Sequence, residues 1–195
     1  MRGDMPFRGA AFGALLLAAL LVARLDAAAP YEIQSLGCLA SQESSTALGL
    51  NAHGAVVGHC RNTHASPMYK AFLWTPAGGM VAIDGLAWAR DINDRGAVIG
   101  IDDYDGTHTA HRWHPDEGLT DLGRLPGSRY GLYPQYPHSD GVCINNADQV
   151  AGVSTYYEYH RRAVMWEANG AIVDLGLLPA GGERHAAAAG INLAG

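Results

Sequence analysis

Charge is scarce in this chain and nowhere massed. Only 16% of the residues are charged, and no basic cluster is larger than Arg161-Arg162. With a formal net charge of -6, the basic stripe that tracks a phosphate backbone is missing, which argues against a nucleic-acid partner. Also absent are G-x-S-x-G, H-E-x-x-H, a P-loop and G-x-G-x-x-G, so the usual nucleophile, zinc and phosphate signatures are lacking and no cofactor is expected. Cysteine is limited to Cys38, Cys60 and Cys143, an odd number whose spacings fit no zinc pattern. At most one bridge can form within the chain. Cys38 with Cys60 is the expected pair because both lie in one repeat, which leaves Cys143 unpaired. Sustained helical periodicity is missing as well once the N-terminal segment is set aside.

That segment is the strongest local anomaly. Arg2 and Arg8 precede an apolar run from Ala10 to Ala23, followed by the small residues Ala27-Ala28-Ala29. This is the three-part pattern of a secretory signal peptide, expected to occupy residues 1–29. The alternative is a retained anchor, but the run of 14 residues falls short of the roughly 20 that span a bilayer. The expected location is therefore secreted, periplasmic or extracellular, with no stable membrane span after cleavage. Removing three of the 13 basic and two of the 19 acidic residues leaves 10 and 17, a formal charge of -7 on residues 30–195. The 48% hydrophobic content can supply a core, and 25 glycines and 9 prolines dispersed between apolar runs read as a turn-rich β protein.

The remainder is a tandem repeat of about 45 residues. L-N-A-H-G-A-V-V-G from Leu50, I-N-D-R-G-A-V-I-G from Ile92 and I-N-N-A-D-Q-V-A-G from Ile144 are followed by I-N-L-A-G from Ile191. Asn51, Asn93, Asn145 and Asn192 mark the four copies. A second anchor ends in Trp74, Trp113 and Trp166, which follow their asparagines by 23, 20 and 21 residues. A third reads I-D-G-L from Ile83, D-L-G-R-L from Asp121 and D-L-G-L-L from Asp174, with S-L-G-C-L from Ser35 as its first copy. Asn-x-x-Gly predicts a type I turn with Gly54 and Gly96 at the position where a positive φ is cheap, and Asp148 substitutes for that glycine in the third copy. The apolar run after the turn predicts a buried strand ended by Gly58, Gly100 or Gly152. Side chains alternate in the tryptophan segment, so Phe72 and Trp74 share a face, as do His111 with Trp113 and Val164 with Trp166, and this face is the expected core. Each unit then holds about four short strands, the content of one propeller blade. The expected units span residues 33–82, 83–120 and 121–173, with a partial unit over 174–195.

These anchors resemble the HAF family of extracellular repeats, whose units are similar to G-I-N-N-x-G-Q-V-V-G, H-A-F-x-W and D-L-G-x-L. The resemblance covers residues 33–195. The name-giving triplet departs here, reading Lys70-Ala71-Phe72, Thr109-Ala110-His111 and Arg162-Ala163-Val164, so no role of its histidine is carried over. The resemblance implies an exported bacterial β-repeat array. The expected fold is all-β, a propeller-like array of about 3.5 four-stranded units, with an open β-repeat or solenoid as the alternative. Closure of a propeller takes 4 to 8 blades, so further repeats or a partner chain are expected to complete the array.

Binding on a repeated scaffold resides in its variable loops. The third unit inserts a segment carrying Tyr130, Tyr133, Tyr136 and His138, and a second aromatic group, Tyr156, Tyr157, Tyr159 and His160, precedes Trp166. Tyrosine can stack on sugar or peptide, so a glycan or another envelope protein is the expected partner; the competing reading is that these rings merely cover the sheet ends. His108, His111 and His114 invite a metal, but strand geometry separates them, and Asp102, Asp103, Asp105 and Gly106 lack the full calcium-loop spacing. No metal and no catalytic residue is therefore expected. The readings carried forward are an exported non-catalytic binding or scaffolding module, a glycan-active enzyme drawing on Asp102, Asp103, Asp105 or Asp140, and a purely structural surface protein.

Overall fold

The computed structural model describes residues 32–102, 108–126, 138–157, 160–177 and 185–192. Residues 1–29, expected to be a signal peptide, and the inserted tyrosines Tyr130, Tyr133 and Tyr136 lie outside the described residues, as do Asp103, Asp105 and Tyr159. The chain is all-β. Twelve strands form three four-stranded antiparallel sheets, and no helix occurs among the described residues. Sheet 1 is β1 (Ser44–Leu50), β2 (Val56–Arg61), β3 (Tyr69–Thr75) and β4 (Gly79–Ala82). Sheet 2 is β5 (Trp88–Ile92), β6 (Val98–Ile101), β7 (Ala110–His114) and β8 (Gly118–Asp121). Sheet 3 is β9 (Ser139–Ile144), β10 (Val150–Tyr157), β11 (His160–Trp166) and β12 (Ile172–Gly176). In each sheet the spatial order follows the chain order.

The repeated asparagine forms the turn between the first two strands of every sheet. Asn51, Asn93 and Asn145 accept from the amides of Gly54, Gly96 and Asp148 at 3.1 Å, and those three residues have φ of 76°, 83° and 60°. Glycine takes that conformation without a Cβ clash, and aspartate is among the residues that tolerate it. The glycine after the turn behaves differently from the expectation that it ends a strand. Gly58, Gly100 and Gly152 sit inside β2, β6 and β10. Each lies opposite an irregularity in the first strand, where Leu48, Arg90 and Val142 are inserted between paired residues. A Cβ at these glycines would overlap the carbonyl oxygens of Thr46, Trp88 and Asp140. The glycine is there because a β-bulge brings a neighbouring backbone too close for any side chain.

One face of each sheet packs on the tryptophan face of the next. Val57, Ala71 and Leu73 of sheet 1 meet Ile92, Val98 and Trp113 of sheet 2. Ile99 and Ala110 of sheet 2 meet Val150, Val164 and Trp166 of sheet 3. Trp166 is fully buried, whereas Trp74 of sheet 1 is only half-buried. The equivalent positions before the asparagine show the same gradient: Leu50 is 67% exposed, but Ile92 is 4% and Ile144 is 7%. Residues 185–192 run on past sheet 3, with Ala186 and Ala188 donating to the carbonyls of Arg161 and Gly152 at 2.9 and 3.2 Å. All three cysteines are free thiols, so the expected Cys38–Cys60 bridge is not formed. Cys60 is buried and its Sγ takes the amide of Leu39 at 3.5 Å and faces Met80 Sδ at 3.7 Å, while Cys38 is exposed. Burial pushes the Cys60 and Cys143 thiols above their ordinary value, which keeps both protonated at neutral pH.

Candidate functional site

Polar side chains gather at both ends of the sheets, and the two gatherings differ in whether their hydrogen bonds are used up. At the turn end the asparagines form a ladder. Asn51 Oδ1 accepts from the amides of His53 and Ala55 at 3.0 and 2.9 Å, and Asn93 and Asn145 repeat this with Arg95 and Ala97 and with Ala147 and Gln149. The other half of each amide reaches the next unit. Asn51 Nδ2 donates to Asn93 O at 3.0 Å, Asn93 Nδ2 to Asn145 O at 3.0 Å, and Asn145 Nδ2 to Asn192 O at 2.9 Å. A second rung runs beside the first: Ala52 N donates to Asp94 Oδ1 at 2.8 Å and Asp94 N to Asn146 Oδ1 at 2.9 Å. The Ala52 amide and the Asn146 side chain hold the Asp94 carboxyl below the ordinary carboxylate value. The three turns, with Ile191 and Asn192, border an open depression of about 390 Å³. Its asparagines and Asp94 bond to one another and to backbone, so this end is a fastening between sheets.

At the opposite end, where the second and third strands are joined, a row of rings crosses all three sheets. His59 of β2 and Tyr69 of β3 lie 5.6 and 5.2 Å from Trp88 of β5, ring centre to ring centre. Trp88 is followed by His108 at 6.4 Å and His108 by His138 at 5.1 Å, the last two pairs near-parallel at 24° and 27°. Arg90 lies 5.3 Å above the Trp88 ring and donates to Asp140 Oδ2 at 2.7 Å. Here the hydrogen bonds are not used up. Of the seven buried side-chain polar atoms without a partner among the described residues, five belong to this row: His59 Nδ1, Trp88 Nε1, Arg90 Nε, His108 Nδ1 and Asp140 Oδ1. Native interiors leave few such atoms, and each needs a hydrogen-bonding partner, water or a ligand included.

The row is also where ionisation is perturbed. Burial lowers the His59 pKa, with the Arg90 charge adding to it. Burial likewise lowers His138, helped by His108 and Arg161. Burial raises the Asp140 carboxyl, against the opposing pull of Arg90, His108 and Arg161. A histidine whose folded-state pKa is depressed takes up its proton more readily unfolded, so stability falls as the pH drops below 6.5 toward the folded value. Asp140 acts in the other direction, since a raised carboxyl favours the fold at low pH and withdraws that contribution as pH rises through its folded value. The two histidine contributions, which Asp140 opposes, predict that lowering the pH from 7 to 5 reduces the melting temperature by more in the native chain than in a His59→Gln/His138→Gln double variant lacking them, read by thermal melts in matched buffers.

Among the residues expected from sequence, His138 joins the row directly and Asp140 sits beside it. Tyr156 and Tyr157 close β10 next to the β10–β11 connection, with Tyr157 opposite His160. Asp102 follows β6, accepting from the Thr109 amide at 2.9 Å. His111 Nδ1 lies 3.0 Å from Thr109 O, and His114 turns toward Asp116 at 4.0 Å, so the three spaced histidines do not converge. No set of three His, Cys, Asp or Glu side chains among the described residues is placed to hold a metal. Asp121 and Asp174 cap their own turns, accepting from Gly123 and Gly176 at 2.7 and 2.8 Å. His59, Tyr69, Trp88 and Arg90 were not singled out from sequence. The available signal was their departure from the repeat: His59 replaces Ile101 and Val153, Trp88 replaces Thr46 and Asp140, and Arg90 replaces Leu48 and Val142. No helix among the described residues is long and apolar enough to cross a membrane. No family model and no curated protein sequence matches the chain.

Proposed function

We propose that this chain is an exported, non-catalytic binding module of the cell envelope or extracellular space, a HAF-like array whose sheets stack as propeller-like blades. The stacking order supports the blade reading, since the tryptophan faces of sheets 2 and 3 meet the preceding sheet and β5 lies beside both β1 and β9. The observation that carries the binding reading is the row from His59 to His138 with Arg90 and Asp140, which holds five of the seven unpartnered buried side-chain polar atoms among the described residues. Other carboxylates among the described residues are occupied: Asp94, Asp121, Asp148 and Asp174 are bonded into turns, the ladder or ion pairs. Among the described residues, a hydrolytic reading rests chiefly on Asp140, whose raised carboxyl suits a general acid but which is bound to Arg90, while Asp102 is engaged with the Thr109 amide.

The test is co-sedimentation of the exported chain with insoluble envelope material, run beside a release assay for reducing ends. Retention without release is the expected outcome. No retention on any envelope fraction would count against the binding reading, and release that disappears in Asp140→Asn would replace it with the hydrolytic one.

A further inference from the structure

We infer that the row His59, Trp88, Arg90, His108, His138 and Asp140 is a subsite for a neutral oligosaccharide. The inference rests on the binding reading above and names the ligand class of the same site.

The unpartnered atoms are of mixed sign, and that mixture selects the ligand. Trp88 Nε1–H and Arg90 Nε–H can only donate, and the Asp140 carboxylate oxygen can only accept. The free imidazole nitrogens of His59 and His108 take either role according to tautomer. An anion would satisfy the donors and be repelled by Asp140. A cation would satisfy Asp140 and leave the indole and guanidinium unmet, with Arg90 opposing it. A hydroxyl donates and accepts at one atom, and a chain of hydroxyls on a rigid ring meets several such groups in sequence. The flanking surface is aromatic, which suits the C–H faces of a sugar. Two near-parallel ring steps of 6.4 and 5.1 Å, from Trp88 through His108 to His138, give the row about the length of a disaccharide.

Access to the buried atoms requires side-chain rotation, which at Trp88 and Arg90 loosens the contact between them. The unpartnered atoms point inward, but their side chains are half-buried, with Arg90 and Asp140 at 31% and 26% exposure. Turning the carboxylate or an imidazole about its own bonds presents the inner atom to a ligand at the surface, while the backbone is held at the far end by the asparagine ladder.

The probes are chitohexaose, cellohexaose and maltohexaose, with tetragalacturonate as the acidic control and a neutral hexapeptide as the amide control, titrated calorimetrically into the exported chain. At least one neutral hexasaccharide is expected to bind. Trp88→Phe, which keeps an aromatic ring and removes the donor, and Asp140→Asn, which keeps the shape and alters the acceptor, are each expected to weaken it at least tenfold with a cooperative melting transition retained. Binding that survives both variants would overturn the assignment, as would binding of the peptide or the galacturonate alone. If the chain is retained on envelope material but no neutral hexasaccharide binds or competes, the sugar assignment fails while the binding module stands. If nothing is retained at all, both fail.

Discussion

Asn93→Ala is expected to lower the free energy of unfolding by about 4 kcal/mol, on the scale of a buried hydrogen-bond network. The side chain is 4% exposed and makes four bonds. Its oxygen takes the amides of Arg95 and Ala97 at 3.0 and 2.9 Å, and its nitrogen donates to Asn145 O and Asp148 Oδ1 at 3.0 and 2.7 Å. Alanine leaves the Arg95 and Ala97 amides without partners, each costing about 1–3 kcal/mol, and removes one of the two bonds to the Asn145 carbonyl, which keeps the Asp148 amide. Asn93→Asp separates the two halves of the role. The carboxylate keeps the acceptor for the turn but has no donor for the next unit, and it faces Asp148 and a carbonyl. A loss at least as large as for alanine is expected in urea titrations. A loss below about 1 kcal/mol would mean that the contact between units contributes little.

Gly100→Ala should be of similar size, about 3 kcal/mol, for a different reason. The added methyl would overlap the Trp88 carbonyl and approach Leu86 Cδ1 to 3.0 Å and Ala89 Cα to 3.3 Å. Two of these three are backbone atoms, which move only if β5 moves, and β5 carries Trp88 and Arg90 into the ring row. The variant is therefore expected to disturb the row as well as the fold. Gly190→Ala is the control, since nothing lies within 4 Å of its Cβ position, and should be near neutral. Equal effects at the two positions would remove the close-approach explanation.

How far these features were legible in the sequence depends on whether they repeat. The turn at Asn51, Asn93 and Asn145 and the four strands per unit could be read because one local pattern recurs and its periodicity carries the face assignment. The inward glycines recur too, but Gly58, Gly100 and Gly152 read as strand ends. The carbonyl that requires glycine belongs to another strand, and local pattern cannot show that approach. The donor half of the ladder was hidden for the same reason, because the partner of each Asn Nδ2 lies 42 to 52 residues away in the chain. The ring row was hardest to see. His59, Trp88 and His138 meet only when three sheets are stacked, and each stands where its repeat-mates carry something else. Attention to the consensus passes over positions whose significance is that they break it.

The most direct measurement of the central claim, that binding resides at the ring row, is the set of tryptophan indole NH signals in a 15N-labelled sample. The chain has four tryptophans, of which Trp74, Trp113 and Trp166 lie in the third strands and Trp88 alone lies in the row. On titration with the neutral hexasaccharide that binds, the Trp88 indole signal, assigned by its loss in Trp88→Phe, is predicted to move while the other three stay in place. Saturation that leaves Trp88 unmoved, or that moves Trp74, Trp113 or Trp166 instead, would contradict the account.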